Sequence, residues 1–257
     1  MQTTTMLVVS DPPHGDVKEE VVSAVLGLPA DHTRLKIRFG APELLAATDP
    51  DSAVELALSL KAAGVSAEMR DADGLVRLPW PTLASSFEFG EGGLSARFGS
   101  QAVELAYDEP LVGVYCQPPS DFRPPEGVSA SALEGMSCTG PAAAEALEWI
   151  PHLDLYYSRS GAPARLSIAG GTMVAMVDEC RSRFTNLLLD TRLEGVRPRQ
   201  RFVPGERGFD PDLRKRYAFG TLLLRHVLES ISAELRDVTQ YELGSRLAYV
   251  LHRGAPG

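Results

Sequence analysis

The stretch from Gly27 to Arg70 reads GLPADHTRLKIRFGAPELLAATDPDSAVELALSLKAAGVSAEMR. Its second half predicts a helix followed by a strand. Asp49 stands where a helix cap is expected, and Pro50 occupies the first helical position. The apolar residues then repeat at helical spacing: Ala53, Leu56, Ala57, Leu60 and Ala63. Gly64 supplies a left-handed stop, and Val65, Ala67 and Met69 alternate as along a strand that turns one face inward.

Upstream of this stretch, the chain predicts a strand and another helix. Met6–Ser10 is a short apolar run that ends at Asp-Pro-Pro, which is typical of a buried strand followed by a turn. Asp16 can cap the next helix, whose apolar face is formed by Val17, Val21, Val22 and Val25. Residues 31–39 fit either a strand or a helix. Residues 1–75 are therefore predicted to form a small α/β domain.

This order of elements resembles the C-terminal domain of the bacterial ribosomal stalk protein. The matching positions are Gly27-Leu28, Gly40-Ala41-Pro42, Ala53, Ala57, Leu60, Ala63-Gly64 and Glu68. The resemblance covers roughly residues 5–70 and implies an open-faced α/β module used in protein interactions. In that family a basic surface on the first helix engages translation factors. Here that helix carries Glu19, Glu20 and Ser23 beside Lys18, so a different partner is expected.

Residues 76–200 predict an antiparallel β domain. Four strands are expected at 87–89, 94–98, 101–107 and 111–116, followed by a proline-rich loop at 117–127, a helical turn at 142–150 and a hairpin of strands at 153–158 and 164–168. The stretch 172–193 predicts an amphipathic helix. Strands followed by one helix form an element order similar to pleckstrin-homology-like domains, which implies an antiparallel barrel or sheet that binds peptides, proteins or phosphorylated headgroups. The predicted fold class is therefore α+β.

Residues 201–257 predict a helical C-terminal segment. Apolar side chains recur at helix-packing spacing in a seam formed by Leu213, Tyr217, Leu224, Val227, Ile231 and Leu235. Such a seam packs either within the chain or in a homodimer through residues 213–235. A last helix is predicted at 241–251.

Charge is unevenly distributed along a chain whose net charge is −9. Residues 190–216 hold 8 basic and 5 acidic side chains, whereas both segments before them are acidic. The candidate ligand-binding residues in this basic segment are Arg197, Arg199, Arg201, Arg207, Arg214 and Arg216. They predict either a phosphate-binding or acidic-partner surface or a solvated linker with interleaved acids. The acidic body disfavours nucleic acid and anionic membranes as partners.

Catalytic and metal-binding motifs are absent from the sequence. The five histidines show no HxH, HExxH or HxxxH spacing, and no serine lies in a GxSxG elbow. His152 and Asp154 flank Leu153 and would share one face of a strand, where they could form an acid–base pair. No cofactor, metal or catalytic residue is predicted from these patterns.

The sequence leads to three hypotheses, of which the first is a non-enzymatic bacterial adaptor or scaffold that binds a protein partner. Three widely spaced cysteines and the lack of a signal-like N-terminus favour the cytoplasm, and only four lysines among 25 basic residues favour a GC-rich bacterial genome. The second hypothesis is a regulator that binds a small phosphorylated ligand through the arginines of residues 192–216. The third is an enzyme of unrecognised type with His152 and Asp154 in its site.

Overall fold

The structure is a computed structural model that describes residues 6–10, 19–27, 29, 33, 42–133, 136, 138–196 and 238–253. Its first part is a three-stranded antiparallel sheet in the order β2-β1-β3. The elements are β1 (Met6–Ser10), α1 (Glu19–Leu26), β2 (Glu43–Thr48), α2 (Pro50–Ala62), β3 (Ala67–Asp71) and the short α3 (Asp73–Arg77). Side chains alternate across β1, so Val8 packs against α1 and α2 while Leu7 and Val9 face the rest of the chain.

Helix α2 begins and ends at the predicted residues. The Asp49 side chain accepts a hydrogen bond from the backbone N–H of Ser52 at 3.0 Å, and Pro50 is the first helical residue. Gly64 adopts a φ of +87°, which ends the helix at low steric cost. Strand β2 was not predicted, and the inward orientation predicted for Met69 is wrong because that side chain is 43% exposed on an edge strand.

The middle of the chain forms two open sheets, neither of which closes into a barrel. Strands β5 (Ser86–Phe89), β6 (Gly93–Phe98) and β7 (Gln101–Ala106) form an antiparallel sheet. The second sheet has five strands in the order β11-β8-β9-β10-β4. Its strands are β4 (Thr82–Leu83), β8 (Leu111–Gln117), β9 (His152–Arg159), β10 (Ala162–Ala169) and β11 (Leu187–Glu194).

Two predictions for this part of the chain are wrong: the purely antiparallel sheet and the long helix over 172–193. It is mixed, not antiparallel, because β11 runs parallel to β8 and β4 runs parallel to β10. The helix predicted over 172–193 ends at Arg183, as α6 (Met173–Arg183), and the next apolar run forms β11 instead. Leu187 and Leu189 face one side of that strand, so their spacing of two residues, not the helical spacing, describes the segment. The short helices α4 (Ala130–Leu133) and α5 (Pro141–Leu147) precede the β9–β10 hairpin, which was predicted.

The last described helix, α7 (Gln240–Arg253), lies in the interior of the molecule. One face of the five-stranded sheet packs against the three-stranded sheet of β5–β7 and α6. The other face packs against α7, which also contacts side chains of β1, β2 and α3. Gly244 makes this close approach feasible, since a Cβ there would lie 2.6 Å from the Leu193 side chain of β11. The far C-terminal helix therefore joins the N-terminal sheet to the five-stranded sheet.

Among the helices of the described residues, none has the length and apolar character needed to cross a membrane.

Candidate functional site

The face of the five-stranded sheet that contacts α7 carries buried polar side chains. The cross-strand register places Asp154 of β9 between Val114 of β8 and Ser167 of β10. His152 and Asp154 share this face, as predicted from their alternation along one strand. Asp154, Ser167 and His152 are each at most 1% exposed. A polar cluster therefore lies where an apolar layer would be expected.

Four charged side chains form an alternating chain across this interface. Arg165 of β10 donates from Nη2 to Asp154 at 2.7 Å and from Nη1 to both carboxylate oxygens of Glu242 at 2.9 and 2.8 Å. Glu242 in turn accepts from Nε of Arg246, one helical turn along α7. All four residues are at most 4% exposed. Two acids and two bases balance in charge, which is the condition under which buried ions are tolerated.

The pKa shifts of this cluster follow from burial and from the opposing charges. Burial alone would raise the pKa of the Asp154 carboxyl, but the charge of Arg165 and the hydrogen bonds from Arg165 and Ser167 outweigh it and hold that pKa below its usual value. Burial would likewise lower the pKa of Arg165, and Asp154 and Glu242 reverse the effect and raise it well above its usual value. The ion pair is therefore charged throughout the physiological pH range.

Helix α7 is also held by contacts to backbone carbonyls. Arg246 donates to the carbonyl oxygens of Leu75 at 2.8 Å and Leu78 at 2.7 Å, which lie at the end of α3, and its guanidinium lies 4.6 Å from the ring centroid of Trp80. At the other end of α7, Arg70 of β3 donates to the carbonyl of Leu251 at 2.6 Å and to that of the preceding residue. A cation at a helix C-terminus is electrostatically favourable. These contacts fix the helix between the two sheets.

A second polar cluster fixes the same helix to β11 and β2. Arg192 donates to Glu43 at 2.8 Å and to Asp190, while His252 of α7 lies 3.1 Å from Asp190. Burial opposes ionisation of Asp190, but hydrogen bonds from His252 and Arg192 prevail and lower its pKa strongly. Arg192 belongs to the basic segment of residues 190–216, and its partners make it an internal ion-pair residue.

Cys116, His152 and Asp154 bring three metal-ligating or catalytic residue types together. Their ligand atoms lie within 4.8 Å of one another, because Cys116 of β8 pairs directly with His152 across the strands. The Nδ1 of His152 lies 3.1 Å from the carbonyl of Ile150, which leaves Nε2 3.8 Å from Asp154. This geometry has the form of a Cys-His-Asp constellation.

The hydrogen bonds of Asp154 disfavour a metal ion at this site, and burial of Cys116 disfavours a nucleophile. Both oxygens of Asp154 already accept hydrogen bonds, from Arg165, Ser167 and Ser245. Burial raises the pKa of the Cys116 thiol well above its usual value, so the thiol is not activated for nucleophilic attack. Burial also lowers the pKa of His152, against the raising effect of Asp154, and keeps the imidazole neutral. Asp154 is thus a member of the buried network, and His152 and Cys116 lie beside it.

An accessible cleft of about 570 Å³ lies on the opposite face of the five-stranded sheet. It lies between the β9–β10 hairpin and the β6–β7 turn, and Pro79, Thr82 and Thr139 border it on a third side. The remaining lining residues are Phe98, Gly99, Ser100, Gln101, Tyr157, Arg159, Pro163, Ala164, Arg165 and Leu166. Among the described residues, two arginines and no acids line it, in a chain whose net charge is −9.

Several predicted sites lie outside the described residues. These are the arginines 197, 199, 201, 207, 214 and 216 and the complete apolar seam from Leu213 to Leu235.

Sequence reasoning found His152 and Asp154 but missed Arg165, Glu242 and Arg246. One signal was present: Glu242 and Arg246 are four residues apart on a helix that is otherwise rich in apolar residues, and Arg165 lies at the centre of an apolar strand.

A search of protein-family models, curated proteins and solved structures found no significant match to this chain.

Proposed function

We propose that this protein is a cytoplasmic, non-enzymatic adaptor that binds a protein partner. The observation that carries the proposal is the contrast between its two polar regions. Cys116, His152 and Asp154 have side chains of catalytic type, but they are at most 1% exposed and α7 covers them. The open cleft at the β9–β10 hairpin is instead lined mainly by backbone, aromatic and small polar groups. Concave surfaces lined by apolar and aromatic side chains with a few polar groups are typical of binding sites.

The rigid attachment of α7 supports the same proposal. Arg165 and Arg246 tie it to the five-stranded sheet and to α3, while Arg70 holds its C-terminal carbonyls. A scaffold must present its binding surface in a fixed geometry, because ordering that surface at the moment of binding costs affinity. The cysteines that the structure describes are unpaired, which agrees with a reducing compartment.

The other two hypotheses have less support. An enzyme that used His152 and Asp154 would need a path for its substrate, and α7 covers both residues. A regulator that uses the arginines of residues 192–216 would need them free, whereas Arg192 is paired with Asp190 and Glu43.

Affinity capture with the full chain tests the proposed function. The immobilised protein is incubated with lysate from its source cells over a series of salt concentrations, and bound proteins are competed off with the free full chain. We expect one protein, or a small set, to bind saturably and to be displaced by the competitor. If no protein binds saturably at any salt concentration, the proposal is wrong. A rise in melting temperature with nucleotides or inorganic phosphate would instead favour the regulator.

A further inference from the structure

Strand β10 has one incompletely paired edge, and that edge borders the cleft. β9 pairs with all eight residues of β10, from Ala162 to Ala169, on one side. On the other side β4 pairs only with Leu166 and Ser167. The half of β10 nearest the hairpin, residues 162–165, therefore has no neighbouring strand on this side among the described residues.

The sequence before β4 explains why the ladder stops there. Residues 78–81 read Leu-Pro-Trp-Pro, and the two prolines fix φ near −65°, away from the parallel-strand value near −120°. Trp80 lies over the guanidinium of Arg246 instead of continuing the strand. The chain that would otherwise cover residues 162–165 is thus held away from them.

The backbone groups on the open edge can be identified from the alternation along β10. The carbonyl of Ser167 accepts from the N–H of Ala84 at 2.8 Å, so Ser167 presents its backbone groups to the β4 side. Every second residue faces the same way, which places the Arg165 N–H and the Pro163 carbonyl on that side. Arg165 directs its guanidinium to the α7 face, so its main chain is what borders the cleft. These two groups are the donor and the acceptor that one residue of an added strand would bond.

Side chains around the edge determine what kind of segment fits. Tyr157 pairs with Ala164 and Arg159 pairs with Ala162, and all four lie on the cleft side of the sheet. An added strand would lie about 4.8 Å beyond β10, and the two alanines leave room for contacts across it. A residue opposite Ala164 would meet the Tyr157 ring. A residue two positions away, opposite Ala162, would come within reach of Arg159.

Charge favours an acidic side chain at that second position. Arg159 is exposed and forms no ion pair with any described residue, and no acid is among the described residues that line the cleft. A second cleft among the described residues, of about 560 Å³, is lined in part by Glu88, Glu104 and Glu109 and would repel such a segment. Charge complementarity therefore directs an acidic segment to the β10 edge.

We propose that the open edge of β10 binds an extended segment of a partner protein by strand addition, with an apolar residue against Tyr157 and an acidic residue two positions away against Arg159. The inference rests on the proposed adaptor function. The segment gains main-chain hydrogen bonds from Pro163 and Arg165, while Tyr157 and Arg159 supply specificity.

Selection from a random displayed peptide library on the full chain tests this. We expect enriched peptides to carry an acidic residue two positions from an apolar one. Their affinity should fall about tenfold or more in Arg159→Glu and stay unchanged in Arg123→Glu, an exposed matched control outside the cleft. A peptide in which lysine replaces the acidic residue should bind Arg159→Glu better than the wild-type protein. Melting temperatures should be equal in both variants.

Other outcomes would overturn the inference. No enrichment, enrichment of peptides without an acidic residue, or equal binding to both variants would each contradict it. Competition of the selected peptides by millimolar inorganic phosphate alone would show a simple anion site, and dimerisation lost in Arg159→Glu would show that a second copy occupies the edge. If the captured partner binds Arg159→Glu as well as the wild-type protein, the adaptor function stands and the β10 site is wrong. If nothing is captured, the adaptor function itself fails.

Discussion

Arg165 provides the sharpest test of how the interior is held together. Its guanidinium makes three hydrogen bonds of 2.7 to 2.9 Å to Asp154 and Glu242, and all three residues are at most 4% exposed. In Arg165→Met an unbranched apolar stem is kept, and the guanidinium and its charge are lost. Removing one partner of a buried ion pair costs about 3–5 kcal/mol, since the remaining charge is left uncompensated. We therefore expect the free energy of unfolding to fall by about that amount.

Urea unfolding at neutral pH, followed by tryptophan fluorescence and circular dichroism, measures this loss. Trp80 is a suitable reporter because it stacks on Arg246 of the same network. The matched control is Arg123→Met, an exposed arginine in the proline-rich loop, which should stay within about 0.5 kcal/mol of the wild-type protein. Adding Asp154→Asn to Arg165→Met should recover about 1–2 kcal/mol, because it removes the orphaned charge.

The pH dependence gives the same reasoning a second check. Without Arg165, burial should raise the pKa of Asp154 above its usual value of 3.8. A raised folded-state pKa means that the folded state binds more protons than the unfolded state, so stability increases as pH falls. The difference in free energy of unfolding between Arg165→Met and the wild-type protein should therefore become smaller from pH 7 to pH 5. If Arg165→Met lowers the free energy of unfolding by less than about 1 kcal/mol, or if adding Asp154→Asn lowers it further, the buried ion pair does not have the role given to it here.

Three further predictions concern other parts of the interior. Gly244→Ala should lower the free energy of chemical unfolding by about 1–3 kcal/mol, because its Cβ would lie 2.6 Å from the Leu193 side chain. The double variant with Leu193→Ala should remove that clash, and the control Gly171→Ala, whose Cβ would meet no atom within 4 Å, should leave stability unchanged. The pKa of Asp190 is lowered in the folded state, so the stability that this carboxylate contributes is present above pH 3.8 and is lost as pH falls further. Asp190→Asn should lower the free energy of unfolding at neutral pH by more than about 2 kcal/mol, and an unchanged acid-unfolding curve would contradict this. In a thiol-labelling assay on the native protein, Cys138 should react first among the three cysteines, since the other two are buried; fast labelling of a second thiol would count against the packing.

Local signals predicted some elements of the fold accurately. Helix α2 follows from Asp49, Pro50 and Gly64, whose effects are confined to a few neighbouring residues. The β9–β10 hairpin follows from a short turn between two apolar runs. In contrast, Leu187, Leu188 and Leu189 form a short apolar run that fits a helix or a strand, and only pairing with β8, far earlier in the chain, makes the segment a strand. Long-range pairing of this kind leaves no local signature.

The candidate site shows the same limit more strongly. The alternation of His152 and Asp154 predicted a shared face, but not that α7 covers it. Arg165, Glu242 and Arg246 come from two elements separated by some 70 residues, and their partnership depends on where α7 packs. The open edge of β10 depends on Pro79 and Pro81, which the sequence shows plainly. What those prolines leave uncovered becomes visible only when β4 is placed beside β10.

Amide hydrogen exchange at Arg165, resolved by NMR in the full chain, tests strand addition to β10 most directly. The Arg165 N–H lies on the open edge, whereas the neighbouring N–H of Leu166 faces β9 and serves as an internal control. We predict that the Arg165 amide exchanges faster than that of Leu166 in the free protein and becomes protected by about tenfold or more when a selected acidic peptide is bound. Unchanged exchange at Arg165 with the peptide at saturation would contradict the central claim.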